Sequence, residues 1–184
     1  MYDDSTKAWV YERKLMAPPT QNSSAYEPKI YNGKLYAWVG KNIVCHNLET
    51  GEQIWRKPFP QDFLFSGFII EDDKIIANNE DTFTYGIHPE NGAILWKTES
   101  AGTSGRISYL NGIAYFVGGS TGKLHAIDTE TGQHVWKLGA SSLGEPAGNS
   151  FKTNAVYVFP AKNGNPAKVI ALSHLYAYSF EAYQ

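Results

Sequence analysis

The stretch Asn47-Leu48-Glu49-Thr50-Gly51-Glu52-Gln53-Ile54-Trp55-Arg56-Lys57 is met twice more in the chain, with small changes. It returns as His88-Pro89-Glu90-Asn91-Gly92-Ala93-Ile94-Leu95-Trp96-Lys97 and as Asp128-Thr129-Glu130-Thr131-Gly132-Gln133-His134-Val135-Trp136-Lys137. The tryptophans are 41 and 40 residues apart, and each follows its glycine by four. A period of this length, built from strand-like segments, marks a propeller or a solenoid. It also argues against catalysis, because a residue that recurs in every unit has a recurring structural task.

The phrase reads as a turn followed by a strand. Thr-Gly or Asn-Gly supplies the positive φ that a tight hairpin requires. Before the turn, residues alternate as in a strand; after it, Ile54, Leu95 and Val135 take one side while Trp55, Trp96 and Trp136 take the other. A tryptophan repeated at one place buries on the order of 200 Å² between neighbouring sheets. Gly51, Trp55, Gly92, Trp96, Gly132 and Trp136 are therefore read as structural repeat positions, the tryptophans as packing wedges.

Each phrase follows a second hairpin: Ile30-Tyr31-Asn32-Gly33-Lys34-Leu35-Tyr36, Ile70-Glu71-Asp72-Asp73-Lys74-Ile75-Ile76 and Tyr109-Leu110-Asn111-Gly112-Ile113-Ala114-Tyr115. Phe151-Lys152-Thr153-Asn154-Ala155-Val156-Tyr157 gives a fourth. Polar two-residue turns join runs rich in β-branched and aromatic residues. Two hairpins per period make four antiparallel strands, one propeller blade. The expected fold is all-β, with blades at about 26–57, 67–97, 105–138 and 149–184, a partial propeller or half-ring of about four.

The ends depart from the pattern. Val169 to His174 reads as a third strand, and Leu175 to Phe180 as an outer strand with Tyr178 or Phe180 in the wedge position. Asp4 to Glu12 reads as the tail of one more unit, placing Trp9 on an outer strand with no partner strand before it. Residues 1–25 are then an outer-strand remnant followed by a Pro- and Ser-rich loop, since Pro18 and Pro19 cannot donate to a ladder.

Asp128 to Trp136, with Gly122-Lys123-Leu124-His125-Ala126 ahead of it, resembles the PQQ-like β-propeller repeat, as does Val156-Tyr157-Val158. That family includes BamB-like outer-membrane assembly lipoproteins and the quinoprotein alcohol dehydrogenases. The resemblance covers nearly everything from Ile30 onward, and members usually close with seven or eight blades. It implies part of a larger propeller, a periplasmic or cell-surface location, and open blade edges that offer a route to self-association.

Composition fits a globular β protein: 184 residues, 14% aromatic, 12 tyrosines. A net charge of −2, with scattered basic residues, gives no electrostatic case for nucleic acid. No apolar stretch reaches the ~20 residues that span a bilayer. The acidic start Met1-Tyr2-Asp3-Asp4 carries no secretion signal. Cys45, the single cysteine, aligns with Gly86 and Ala126 and reads as a small buried thiol.

Catalytic and metal readings find little support. The quinoprotein resemblance implies calcium, an Asp base and a vicinal disulfide, which one cysteine excludes within this chain. Asp72, Asp73, Glu80, Asp81 and Glu49 fall in or beside turns, without EF-hand spacing. His46, His88, His125, His134 and His174 show no metal-ligand spacing. Gly118 to Lys123 is one residue short of a phosphate loop and reads as the hairpin between a second and a third strand. No cofactor or metal is expected. The reading is a non-catalytic scaffold for protein or ligand binding in the bacterial envelope, with unknown protein partners. Tyr26, Phe63, Phe65 and Arg106, at loops leading into the blades, are the candidate partner surface. A fragment of a quinoprotein dehydrogenase and the ligand-sensing propeller of an envelope receptor are the alternatives.

Overall fold

The structure is a computed structural model that describes residues 2–3, 5–6, 8–9, 27–63, 66–102 and 105–183. Three four-stranded antiparallel sheets follow one another in chain order. Sheet 1 holds β3 (Lys29–Tyr31), β4 (Lys34–Val39), β5 (Asn42–Asn47) and β6 (Gln53–Pro58). Sheet 2 holds β7 (Phe68–Glu71), β8 (Lys74–Asn78), β9 (Phe83–Ile87) and β10 (Ile94–Glu99). Sheet 3 holds β11 (Ser108–Leu110), β12 (Ile113–Gly118), β13 (Lys123–Asp128) and β14 (His134–Leu138). A three-stranded sheet 4 follows, of β15 (Val156–Phe159), β16 (Lys168–Leu172) and β17 (Ala177–Glu181). Near the N-terminus, β1 (Tyr2–Asp3) pairs with β2 (Ala8–Trp9). The architecture is all-β and propeller-like, and among the described residues its sheets do not close into a ring.

Turn chemistry explains the inner hairpins. Asn32-Gly33, Asp72-Asp73 and Asn111-Gly112 all adopt positive φ at both positions. That is the type I′ geometry whose twist matches the flanking strands. The outer turns are held differently. Asn47 Oδ1 accepts the Glu49 and Thr50 N–H groups, Asp128 Oδ1 those of Glu130 and Thr131, and His88 Nδ1 that of Glu90.

The core lies between sheets rather than within them. Tyr36, Trp38, Ile43 and Cys45 of sheet 1 meet Phe68, Ile75, Ala77, Tyr85 and Ile87 of sheet 2. Ile76 of sheet 2 meets Ala114, Phe116 and Ile127 of sheet 3. Tyr115, Val117, Leu124 and Ala126 of sheet 3 meet Val156, Val169 and Ala171 of sheet 4. Successive side chains of one strand thus serve opposite neighbours, Ile75 and Ala77 backward and Ile76 forward. This is why β12 (Ile113–Gly118) is buried along its whole length.

Sheet 4 corrects the expected fourth blade. Its strands are the first, second and third of a blade, and among the described residues no outer strand pairs with β17. β15 lies beside β11, and Ser108 Oγ donates to the Val156 carbonyl (2.7 Å). Val156 and Val158 face sheet 3 as Phe68 and Ile70 face sheet 1. The β16–β17 turn adjoins the β12–β13 turn: His174 Nδ1 accepts from Ser150 N–H (3.2 Å), and Phe151 N–H donates to Gly122 O (2.9 Å). It is therefore a second-to-third-strand turn. The hairpin read at Phe151–Val158 does not form, because Thr153-Asn154 lacks the left-handed pair and Phe151 is buried against Tyr178. Tyr178 and Phe180 sit on a third strand, not in the wedge position. Ala8–Trp9 is likewise not without a preceding partner, since Tyr2–Asp3 pairs with it.

Candidate binding surface at the inner strands

The inner strands β3, β7 and β11 begin at one end of the assembly, where they bound a cleft of about 620 Å³. Glu27, Lys29, Phe68, Arg106, Ile107 and Asn154 are among its walls. Gly105 makes the wall tight, since a Cβ there would fall 1.7 Å from Asn154 Oδ1. Arg106 follows it, exposed between Gly105 and the buried Ile107, with its guanidinium carbon 5.1 Å from the Tyr157 ring centroid. Opposite, Lys29 Nζ is 2.6 Å from Glu27 Oε1, and this hydrogen bond holds the Glu27 carboxyl below its usual range. A second hollow of about 270 Å³ continues along β11 and β15 past Tyr109, Tyr157 and Val158. Tyr109 donates to Asp72 Oδ2, and burial together with that carboxylate pushes its hydroxyl up to about 12.

Of the four residues expected at a partner surface, Arg106 lies on this cleft. Phe63 does not: it is 1% exposed, stacked on Trp38 at 3.9 Å and edge-on to Phe59. The segment between β6 and β7 turns Phe63 inward as a plug between sheets 1 and 2, so it is a core residue. Tyr26 and Phe65 lie outside the described residues. Tyr157, 42% exposed, was missed because its segment was read as the second half of an inner hairpin rather than as a first strand.

The repeat residues do a different job. Trp55 Nε1–H donates to Pro89 O (2.8 Å) and Trp96 Nε1–H to Thr129 O (2.9 Å), each reaching the outer turn of the next sheet. Gly51, Gly92 and Gly132 share φ of 71°, 71° and 74°. Among the described residues sheet 4 has no outer turn to receive Trp136. Trp136 lines a groove of about 290 Å³ with Leu138 and Phe180. Cys45 is fully buried, and burial pushes its thiol up to about 11.

One pairing escaped sequence reasoning. His125 Nδ1 and His134 Nε2 are 2.9 Å apart, on neighbouring strands, because the outer turn folds β14 back onto β13. Burial, then His134 and the nearby lysines, lower His125 to about 3. Among the described residues no three His, Cys, Asp or Glu side chains converge as a metal site. Nor is any described helix long and apolar enough to cross a membrane.

Residues 81–174, half of the chain, match the family described as outer membrane protein assembly factor BamB. The outer membrane protein assembly factor BamB of Shewanella oneidensis is 24% identical over 126 residues, which cover 61% of this chain and 32% of that protein. The chain thus spans about a third of that relative's length. The crystal structure of BamB from Moraxella catarrhalis has a TM-score of 0.60 at 18% identity, covering 81% of this chain and 43% of that one. A europium-containing methanol dehydrogenase has a TM-score of 0.66 at 12% identity, covering 84% and 39%. At these identities the two structures share the fold alone. The family match over half the chain goes further: this protein belongs to the family of the outer membrane protein assembly factor BamB.

Proposed function

We propose that the chain is a non-catalytic binding scaffold of the bacterial cell envelope whose inner-strand cleft holds a protein partner. The observation that carries this reading is Arg106, exposed on the cleft with its guanidinium over the half-exposed Tyr157 ring. Arg and Tyr dominate interface hot spots, because each brings a large planar surface together with hydrogen-bonding capacity. Ile69 of β7, half-buried on the same cleft, adds apolar surface. The name of the Shewanella relative, an assembly factor, supports a role in assembly over one in catalysis.

The quinoprotein reading is favoured by the methanol dehydrogenase likeness, but the donor set does not fit a calcium-bound quinone. Glu27 is paired with Lys29, Asp72 and Asp73 accept from Tyr109 and Tyr31, and the lone thiol is buried.

The test is a photo-crosslinking amino acid at Lys29, on the cleft wall, with the chain expressed in the bacterial envelope. The expected result is a discrete adduct with an envelope protein, reduced roughly tenfold by Arg106→Ala. An adduct indifferent to Arg106→Ala, or a calcium-dependent absorption shift on adding quinone, would overturn the reading.

A further inference from the structure

We infer that His125 and His134 form a two-histidine chelate for a divalent transition-metal ion, taking copper or nickel in preference to zinc. The inference does not rest on the scaffold reading.

The spacing of the two ring nitrogens carries the argument. His125 Nδ1 and His134 Nε2 stand 2.9 Å apart on β13 and β14. Imidazole nitrogens bind a divalent ion at about 2.0–2.1 Å. Two such bonds at a right angle set the nitrogens about 2.9 Å apart, whereas the tetrahedral angle sets them about 3.3 Å apart. The observed distance matches adjacent corners of a square-planar or tetragonal site, the geometry of Cu²⁺ and Ni²⁺, and is short for the tetrahedron of Zn²⁺. Between the free rings one proton makes the hydrogen bond. An ion takes the place of that proton, which shifts to the other nitrogen of the ring that held it, so both ligands stay neutral.

The surroundings suit a ligand pair. His125 is 1% exposed and lies parallel to the Phe116 ring, 5.2 Å between centroids, so its orientation is fixed in advance. Its buried Nε2 has no hydrogen-bond partner among the described residues. That nitrogen and the Ser100 carbonyl oxygen both border the space that Gly118 leaves open for want of a Cβ. A metal-bound histidine donates its other N–H to a carbonyl of this kind. His134 is half-buried, which gives an ion access from solvent. Neither histidine stands at a repeated position. Sheets 1 and 2 carry Val44 and Tyr85 in place of His125, and Gln53 and Ile94 in place of His134. The pair is therefore no part of what holds every blade together. Among the described residues no third His, Cys, Asp or Glu side chain joins it, so water completes the coordination. Lys123 and Lys137 lie near enough to repel a cation, and they weaken the site without altering its geometry.

Calorimetric titration of the chain with Cu²⁺, Ni²⁺ and Zn²⁺, together with the paramagnetic resonance spectrum of the Cu²⁺ complex, tests this. The expected result is a Cu²⁺ site with two equatorial nitrogens and Ni²⁺ bound more tightly than Zn²⁺. His134→Gln should weaken Cu²⁺ binding roughly tenfold or more. His88→Gln and His174→Gln, at turns away from the pair, should leave it unchanged. Urea melts separate binding from folding: Cu²⁺ should raise the midpoint of the wild-type chain and leave that of His134→Gln in place. Cu²⁺ affinity indifferent to His134→Gln, a spectrum with fewer than two nitrogens, or Zn²⁺ bound more tightly than Ni²⁺ would each overturn the inference. None of these outcomes depends on the envelope adduct, so the two readings fail separately.

Discussion

The indole of Trp55 lies against Gly92 of the next sheet: a Cβ built on Gly92 would come within 2.9 Å of the Trp55 ring. Its Nε1–H meanwhile reaches the Pro89 carbonyl three residues earlier at 2.8 Å. Trp96 repeats both contacts, on Gly132 at 2.6 Å and Thr129 O at 2.9 Å. The glycine therefore serves twice, giving the turn its positive φ and giving the neighbour's tryptophan its seat. Gly92→Ala should cost about 1–3 kcal/mol, since it adds a left-handed alanine to a steric overlap. Trp96→Ala should cost about 3 kcal/mol through lost packing. Urea melts of the two variants check this, and Trp55→Phe, which keeps the ring but loses the N–H, should cost about 1 kcal/mol.

The fold was legible because its determinants are local. Asn-Gly pairs, the Thr-Gly phrase and alternating apolar runs each act within a few residues, and a repeat states them three times over. The fourth sheet was misread for the opposite reason. Phe151-Lys152-Thr153-Asn154-Ala155 has the composition of an inner hairpin, but long-range packing of Phe151 on Tyr178 and its N–H bond to Gly122 O override the local preference. Phe63 shows the same limit at the candidate site. Whether an aromatic residue in a linker faces solvent or plugs a sheet–sheet gap depends on Trp38, 25 residues away. Arg106 was legible because a long charged side chain beside a glycine at the start of an inner strand has few places to go but outward.

Lys74 Nζ of sheet 2 lies 2.5 Å from Glu130 Oε2 on the outer turn of sheet 3, and Lys34 makes the matching pair with Glu90. The glutamates are largely exposed, so each pair is worth little. A double-mutant cycle of Lys74→Met and Glu130→Gln should return a coupling of about 0.5 kcal/mol, falling as salt is raised. A coupling above about 2 kcal/mol would mean that these pairs, rather than the tryptophan wedges, hold neighbouring sheets together.

Cys45 is fully buried with its thiol pushed up to about 11, so at neutral pH it is neither accessible nor ionised. Thiol reagents should label it only through unfolding, with a rate that rises alongside denaturant. Fast stoichiometric labelling of the native chain would show that the sheet 1–sheet 2 interface opens readily. The single cysteine is thus a built-in reporter of that interface.

His125 gives the chain a defined acid sensitivity. In the folded state burial and then His134 hold it at about 3, against 6.5 for the free side chain, so it stays neutral across mildly acidic pH. Once unfolded it takes a proton near 6.5. Between these values the unfolded state binds more protons, and stability must fall as pH falls. The contribution is complete above about 6.5 and is lost progressively toward 3, with a limiting slope of about 1.4 kcal/mol per pH unit for one group. Asp128, held low by the Thr131 N–H, adds to the loss at the acid end. His125→Tyr inserts the residue that sheets 2 and 4 carry at this place, Tyr85 and Tyr178, and removes the titration. Urea melts at pH 7, 5.5 and 4.5 should show the wild-type chain weakening over this range and the variant weakening less. Equal slopes would mean that the unfolded chain keeps His125 from its proton, or that His134 alone carries the effect.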